Sequence, residues 1–526
     1  MTEAEAVAQS ITARLSPLDR ELGLAWWESS TKASPEADAR RAAADLARRD
    51  VLADPDAFAA VRDARAANPT NRELVVLHDA MLPQQLPGDL RRELVDLETS
   101  VDAQFTAYRA DLNGTRVDDN TLLEILRSSD DSGERRAAWE AGKQIGAEVG
   151  DDVRTLARLR NDAARALGFR DHFELALATS ELDEFRLFAT LREVDELTAA
   201  PFRTWKAALD DQLALRFGVD ANDLAPWHLD DPFFQDPPAS GAVDLDPYFT
   251  GADLEAFTTR TYRGLGLDTD PVLARSDLYA REGKSQHAFC IHIDREGDVR
   301  VLCNVEPNER WADTMLHEFG HAVYDRDLDP ELPWLLREPA HALTTEGIAM
   351  MFGRLVRDPV WLRDVAGVAA ADVDALAPQL AAAQRASLLV FARWVLVVTH
   401  FEQQLYANPD ADLDTIWWDL VERFQLIRRP VGRHAPDWAA KIHLAVVPVY
   451  YQNYLYGELF ASQLMERLTN GTGREDGASL VDRPSVGAQL HQTVFRAAAG
   501  QRWDALIEDA TGAPLNARAF ARDLDR

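Results

Sequence analysis

From the start of the chain to about residue 215, apolar and polar positions follow helical patterns, with Ala, Leu, Arg, Glu and Asp dominant and β-branched runs scarce. This predicts an almost entirely helical segment. The longest patterns run through Leu90–Arg109, Arg135–Leu167 and Phe185–Phe217. Ser16-Pro17, Ser34-Pro35, Asp54-Pro55 and the run from Ser129 to Ser132 read as helix starts. Asn68-Pro69 and Asn113-Gly114 read as turns. Residues 218–250, rich in Pro, Asp and aromatics, read as an ordered loop crossing between lobes, with His228 as a candidate functional residue. A helix is expected over Ala252–Leu265. Alternation then appears over His287–Asp294 and Val299–Val305, which predicts a hairpin around Gly297. A two-residue turn at Glu296-Gly297 would set Cys290 opposite Cys303, and a three-residue loop would remove that pairing. Two buried free thiols are the preferred reading. Helical character resumes from Pro359 to the end of the chain.

Directly after the hairpin, Ala312, Leu316, Phe319 and Val323 make one apolar helical stripe. His317, Glu318 and His321 fall off that stripe, on a face free to line a cleft. They spell His-Glu-x-x-His, the pattern of a zinc hydrolase helix. Positions i and i+4 lie one above the other, so two imidazoles can reach one metal ion. Glu318, beside the first ligand, can take a proton from an attacking water and pass it to a leaving amine. One Zn2+ per chain is the cofactor expected.

Composition narrows the setting. The net charge is −32 over 526 residues, so clustered cations for nucleic acid or anionic membranes are not expected. Cys290 and Cys303 are the only cysteines, which excludes a disulfide scaffold. The first residues show no basic start and no apolar core of a signal peptide, and a cytoplasmic monomer is expected. The most apolar run, Ala386–Thr399, is interrupted by Arg393 and is too short to span a bilayer. The sequons at Asn113 and Asn470 read as turns.

A catalytic zinc needs three protein ligands and one open position. Glu338, His341 and Glu346 could each complete the set. Glu338 precedes a proline at a helix break, and His341 stands at the very start of the next helix. Glu346 lies inside that helix, before the small Gly347, and is preferred.

These residues together resemble the gluzincin peptidases of the angiotensin-converting enzyme and thimet oligopeptidase group. The resemblance implies Glu346 as third ligand, 25 residues beyond His321. The intervening segment from Leu336 to Ala340 is similar to the converting-enzyme side. The resemblance implies that His287 and Ala288 lie on an edge strand that pairs with substrate backbone, a natural mode for an extended peptide. It implies that Lys441 pairs with a C-terminal carboxylate and that His443 binds a substrate carbonyl. Two tyrosines three apart fit Tyr451 and Tyr454, one of which donates to the oxyanion. Tyr454 is preferred, with Tyr450 and Tyr451 as alternatives. The Tyr454–Phe460 run is also similar to thimet oligopeptidase, and Arg158–Phe169 has a family-like texture. Gln452 and Asn453 stand in the region of the arginine that binds an activating chloride, so chloride activation is not implied. Met350 stands where a carboxylate would support a zinc histidine.

The expected fold is mainly α, a two-lobed helical metallopeptidase with a deep central channel and a small β-hairpin beside the zinc helix. The expected division is a helical lobe over 1–250 and a catalytic lobe over 251–526. The expected function is hydrolysis of short peptides, with Lys441 and Tyr451 favouring release of C-terminal dipeptides. Other readings are a zinc hydrolase of a non-peptide substrate and a catalytically degenerate helical binding protein.

Overall fold

The computed structural model describes residues 3–238, 243–469 and 479–525. Helices dominate, and among the described residues the strands form two antiparallel two-stranded sheets. The mainly α expectation holds. The chain forms two compact units, each built from separated stretches. The first contains Met1–Gln85, Val243–Ala381 and Tyr456–Phe520, and the second contains Leu86–Ala242, Ala382–Leu455 and Ala521–Arg526. Residues 1–85 therefore group with 243–381 rather than with the rest of the N-terminal half, and the boundary near 250 is one crossing of several.

In the first unit, helices Glu3–Thr31, Pro35–Leu52, Pro55–Ala67 and Arg72–Met81 enclose a core that includes Ile11, Leu15, Leu52, Val61, Leu74 and Met81. Leu335, from just beyond helix Glu309–Arg326, inserts into the same core. The Ser34 and Asp54 caps form as expected, each side chain accepting from backbone N–H groups of the first turn. Ser16-Pro17 does not start a helix. Pro17 lies inside Glu3–Thr31, which continues to bury Ala25 and to present Trp26 and Trp27 edge-on to Phe289 of the hairpin.

The hairpin pairs Phe289–His292 with Val299–Leu302. Its register sets Cys290 opposite Val301, and both cysteines are free thiols. The two-residue turn is thus corrected. Ile293 N–H still donates to Asp298, and the loop between them holds Arg295 at φ 56° and Gly297 at φ 103°. The longer loop shifts the register by two and moves Cys303 off the position facing Cys290. His287 and Ala288 lie just before the strand rather than on it, with His287 exposed.

The second unit contains the long helices Ser132–Ala166 and Glu184–Phe217, close to their expected limits. It also holds a short hairpin, Ala110–Leu112 with Thr115–Val117, which the helical texture does not predict. Asn113-Gly114 is its turn, both residues at positive φ. The sequon at Asn470 lies outside the described residues. Helix Ala370–Ala407 is long and apolar enough to cross a membrane, a length the run Ala386–Thr399 does not suggest. Yet 61% of its most apolar window is buried inside the protein. Arg393 donates to Asp195 and Thr198 rather than interrupting the helix, the pattern of a core helix.

Candidate metal centre

Two helices of the first unit build the centre. Helix Glu309–Arg326 starts where the Asn308 side chain accepts the Trp311 N–H at 2.9 Å. Its predicted stripe, Ala312, Leu316, Phe319 and Val323, is buried. Helix Ala342–Gly353 is capped by His341, whose Nδ1 accepts the Leu343 N–H at 3.1 Å. That role accounts for His341. Glu338 is engaged by Arg295, with Nη2 to Oε1 2.5 Å. The remaining candidate, Glu346, turns to the histidines.

The two helices approach closely because a glycine stands at the crossing. A Cβ on Gly320 would lie 2.8 Å from Ala349 Cα. On the far side of the second helix, a Cβ on Gly347 would lie 2.6 Å from a Phe460 ring carbon. Gly320 thus sets how near the two helix backbones come, and Gly347 lets the helix that carries Phe460 pack close behind the second.

His317 Nε2 and His321 Nε2 face each other at 3.2 Å. Glu346 Oε2 is 3.7 Å from the first and 3.9 Å from the second. Tetrahedral ligands at zinc distances stand roughly 3.3 Å apart, so this triangle fits one ion with little adjustment. Burial pushes His317 down to about 4 and His321 well below the usual imidazole value. Both rings are therefore neutral at pH 7, the form that ligates. With its proton on Nδ1, His321 donates to the Thr345 hydroxyl at 2.6 Å and leaves Nε2 as the donor atom toward a metal. Thr345 was not marked by the sequence pattern, although its place one residue before Glu346 puts it on the same turn. Met350 supplies no polar support, and its sulfur packs toward Gly457.

Glu318 is 8% exposed, more buried than the histidines beside it. Burial, and then the neighbouring Glu346, push its carboxyl up to about 8. A divalent cation in the triangle would act in the opposite direction. The Cys290 N–H donates to this carboxylate, which ties it to the edge of the hairpin. Zinc hydrolysis needs two neutral imidazoles, a carboxylate ligand and a second carboxylate held beside them, and the donor set meets that need.

Lys441, His443, Tyr451 and Tyr454 belong to the second unit, where they form a cluster of their own. The Tyr451 ring lies 5.0 Å from His443 and 5.6 Å from Tyr454. Tyr450 also packs on Tyr454, at 5.1 Å. His443 Nδ1 is buried without a hydrogen-bond partner among the described residues. Lys441 is buried, and its Nζ donates to Gln235 Oε1 at 2.9 Å. Gln235 comes from the Pro- and Asp-rich loop, 206 residues away in sequence, and no local pattern marks it. His228, from the same loop, is not part of this cluster. Its Nδ1 accepts the Ala225 N–H, and its Nε2 lies 3.0 Å from the Ser132 hydroxyl, a structural role.

Residues 282–522 match the family model described as angiotensin-converting enzyme, peptidase family M2. The match takes in the hairpin, both ligand helices and the Lys441–Tyr454 segment. It supports the converting-enzyme side of the resemblance and lends nothing specific to thimet oligopeptidase. A comparison with curated proteins gives no match.

Proposed function

We propose that this chain is a zinc-dependent peptidase that hydrolyses short peptides and releases C-terminal dipeptides. The observation that carries the reading is the closure of His317, His321 and Glu346 into one ligand triangle inside the segment matched by a metallopeptidase family. When bound, zinc supplies a Lewis acid that polarises the scissile carbonyl and makes water acidic. Glu318 takes the proton from the attacking water on a carboxylate oxygen and returns it to the leaving amine nitrogen. The Cys290 N–H fixes the direction in which that carboxylate faces. Ala288 and His287 align the substrate backbone beside the hairpin edge. Lys441, held by Gln235, pairs with the substrate's C-terminal carboxylate, with Tyr451 beside it. The Tyr454 hydroxyl donates to the oxyanion together with His443.

The test is metal analysis and peptide hydrolysis on protein purified without added metal. The expected result is bound zinc, and a Glu318→Gln variant that keeps its zinc but loses about 10²- to 10⁴-fold in kcat. Full hydrolysis by the zinc-free protein, or by Glu318→Gln, would overturn the reading.

A further inference from the structure

Val449 has φ +55°, in the left-handed region that a β-branched residue rarely adopts. It stands two residues before helix Tyr451–Thr469, which carries Tyr451 and Tyr454. Both of its backbone polar groups are held. Its N–H donates to Glu402 Oε1 at 2.6 Å, and its carbonyl accepts from Gln452 Nε2 at 2.6 Å. The next turn closes with the Asn453 N–H on the Tyr450 carbonyl at 2.9 Å. Glu402 comes from the core helix Ala370–Ala407 and is 1% exposed. Burial raises its carboxyl to about 8 although the Val449 N–H and Arg160 both oppose that rise. A buried acid that serves no other step, bonded to a strained backbone N–H, is the kind of over-determination that keeps an unfavourable conformation in place.

We propose that Glu402 is a positioning residue: it locks Val449 in the left-handed conformation and so fixes where the following helix starts and where Tyr451 and Tyr454 stand. The inference rests on the reading of those tyrosines as groups that face substrate. Relaxation of Val449 to negative φ would rotate the peptide plane entering the helix. That rotation would displace the Tyr451 ring from His443, now 5.0 Å away. Glu402→Gln keeps the accepting oxygen in a neutral side chain of the same shape, whereas Glu402→Leu removes it. Val449→Gly removes the steric penalty of positive φ.

The experiment compares these variants as zinc-loaded full chains, by peptide hydrolysis, thermal unfolding and amide exchange over residues 446–455. Glu402→Leu is expected to lose about 10- to 100-fold in kcat, with faster exchange over that segment. Glu402→Gln is expected to stay within about twofold of the parent. Adding Val449→Gly to Glu402→Leu is expected to restore most of kcat while the unfolding temperature stays low. A merely structural role would not separate kcat from stability in this way. The inference is overturned if Glu402→Gln loses as much as Glu402→Leu, if glycine at 449 restores nothing, or if exchange in Glu402→Leu is unchanged. Full kcat in Tyr454→Phe, with faster exchange in Glu402→Leu, would instead overturn the reading of the tyrosines and leave the lock standing.

Discussion

Lys441 holds its proton loosely for a lysine. Burial pushes the ammonium down to about 8, and the nearby Asp231 and Asp236 restrain the fall. An anchor for a peptide carboxylate must be charged, so its protonated fraction sets the affinity. The lowered value means that the charge is complete well below pH 8 and is lost as pH rises through it. We expect KM for peptides with a free C-terminus to rise through that pH, by about tenfold for each further unit. Amidated peptides should bind poorly and show no such rise. Parallel KM curves for the two peptide series would remove the anchoring role. Lys441 is marked in the sequence only through the family resemblance of the Lys441-Ile-His443 segment. Its partner Gln235 is not marked at all, because the pairing joins residues 206 apart and nothing local encodes it. Thr345 went unmarked for a related reason, since a hydroxyl gains meaning only once a histidine nitrogen is placed 2.6 Å away.

At the scale of elements, periodicity served well where one face packs on a core. The stripe from Ala312 to Val323 is buried, and the long helices lie close to their expected limits. It served less well where a local signal competes with packing. Ser16-Pro17 has the chemistry of a helix start, yet the helix runs through it, because the turns on both sides bury apolar residues, such as Leu15 before it and Ala25 after it. Hairpin register depended on loop length, which the alternation alone does not fix. The glycine between the two histidines carries a separate consequence. In Gly320→Ala, the new methyl would lie 2.8 Å from Ala349 Cα, a backbone atom that cannot swing away. Alanine gains up to about 1 kcal/mol in helix propensity. Overpacking costs about 1–3 kcal/mol, so the loss should win. A lower unfolding temperature and weaker zinc retention are expected. An alanine variant as stable as the parent, with zinc held as tightly, would show that the close helix approach is not required.

For the whole molecule, composition and pattern gave the mainly α class, but the grouping of residues 1–85 with 243–381 could not be read from them. Such grouping is set by contacts between distant stretches, as with Leu335 in the core of the N-terminal helices. One outcome is that all three proposed ligands fall in the first unit, on two adjacent helices. A ligand that binds only the folded form stabilises it by about 4 kcal/mol at a concentration 1,000 times its Kd. For zinc, that free energy acts where the ligand side chains are attached. Without the ion, the two imidazoles at 3.2 Å and the carboxylate lose the bonds that tie them to one point, while packing and contacts such as that of His321 with Thr345 remain. Chelation should therefore speed amide exchange first in Glu309–Arg326 and Ala342–Gly353, and lower the unfolding temperature. Helices of the second unit such as Ser132–Ala166, which carry no ligand, should change much less. Exchange that rises equally in Ser132–Ala166, or that does not change in the two ligand helices, would argue against a metal held by His317, His321 and Glu346.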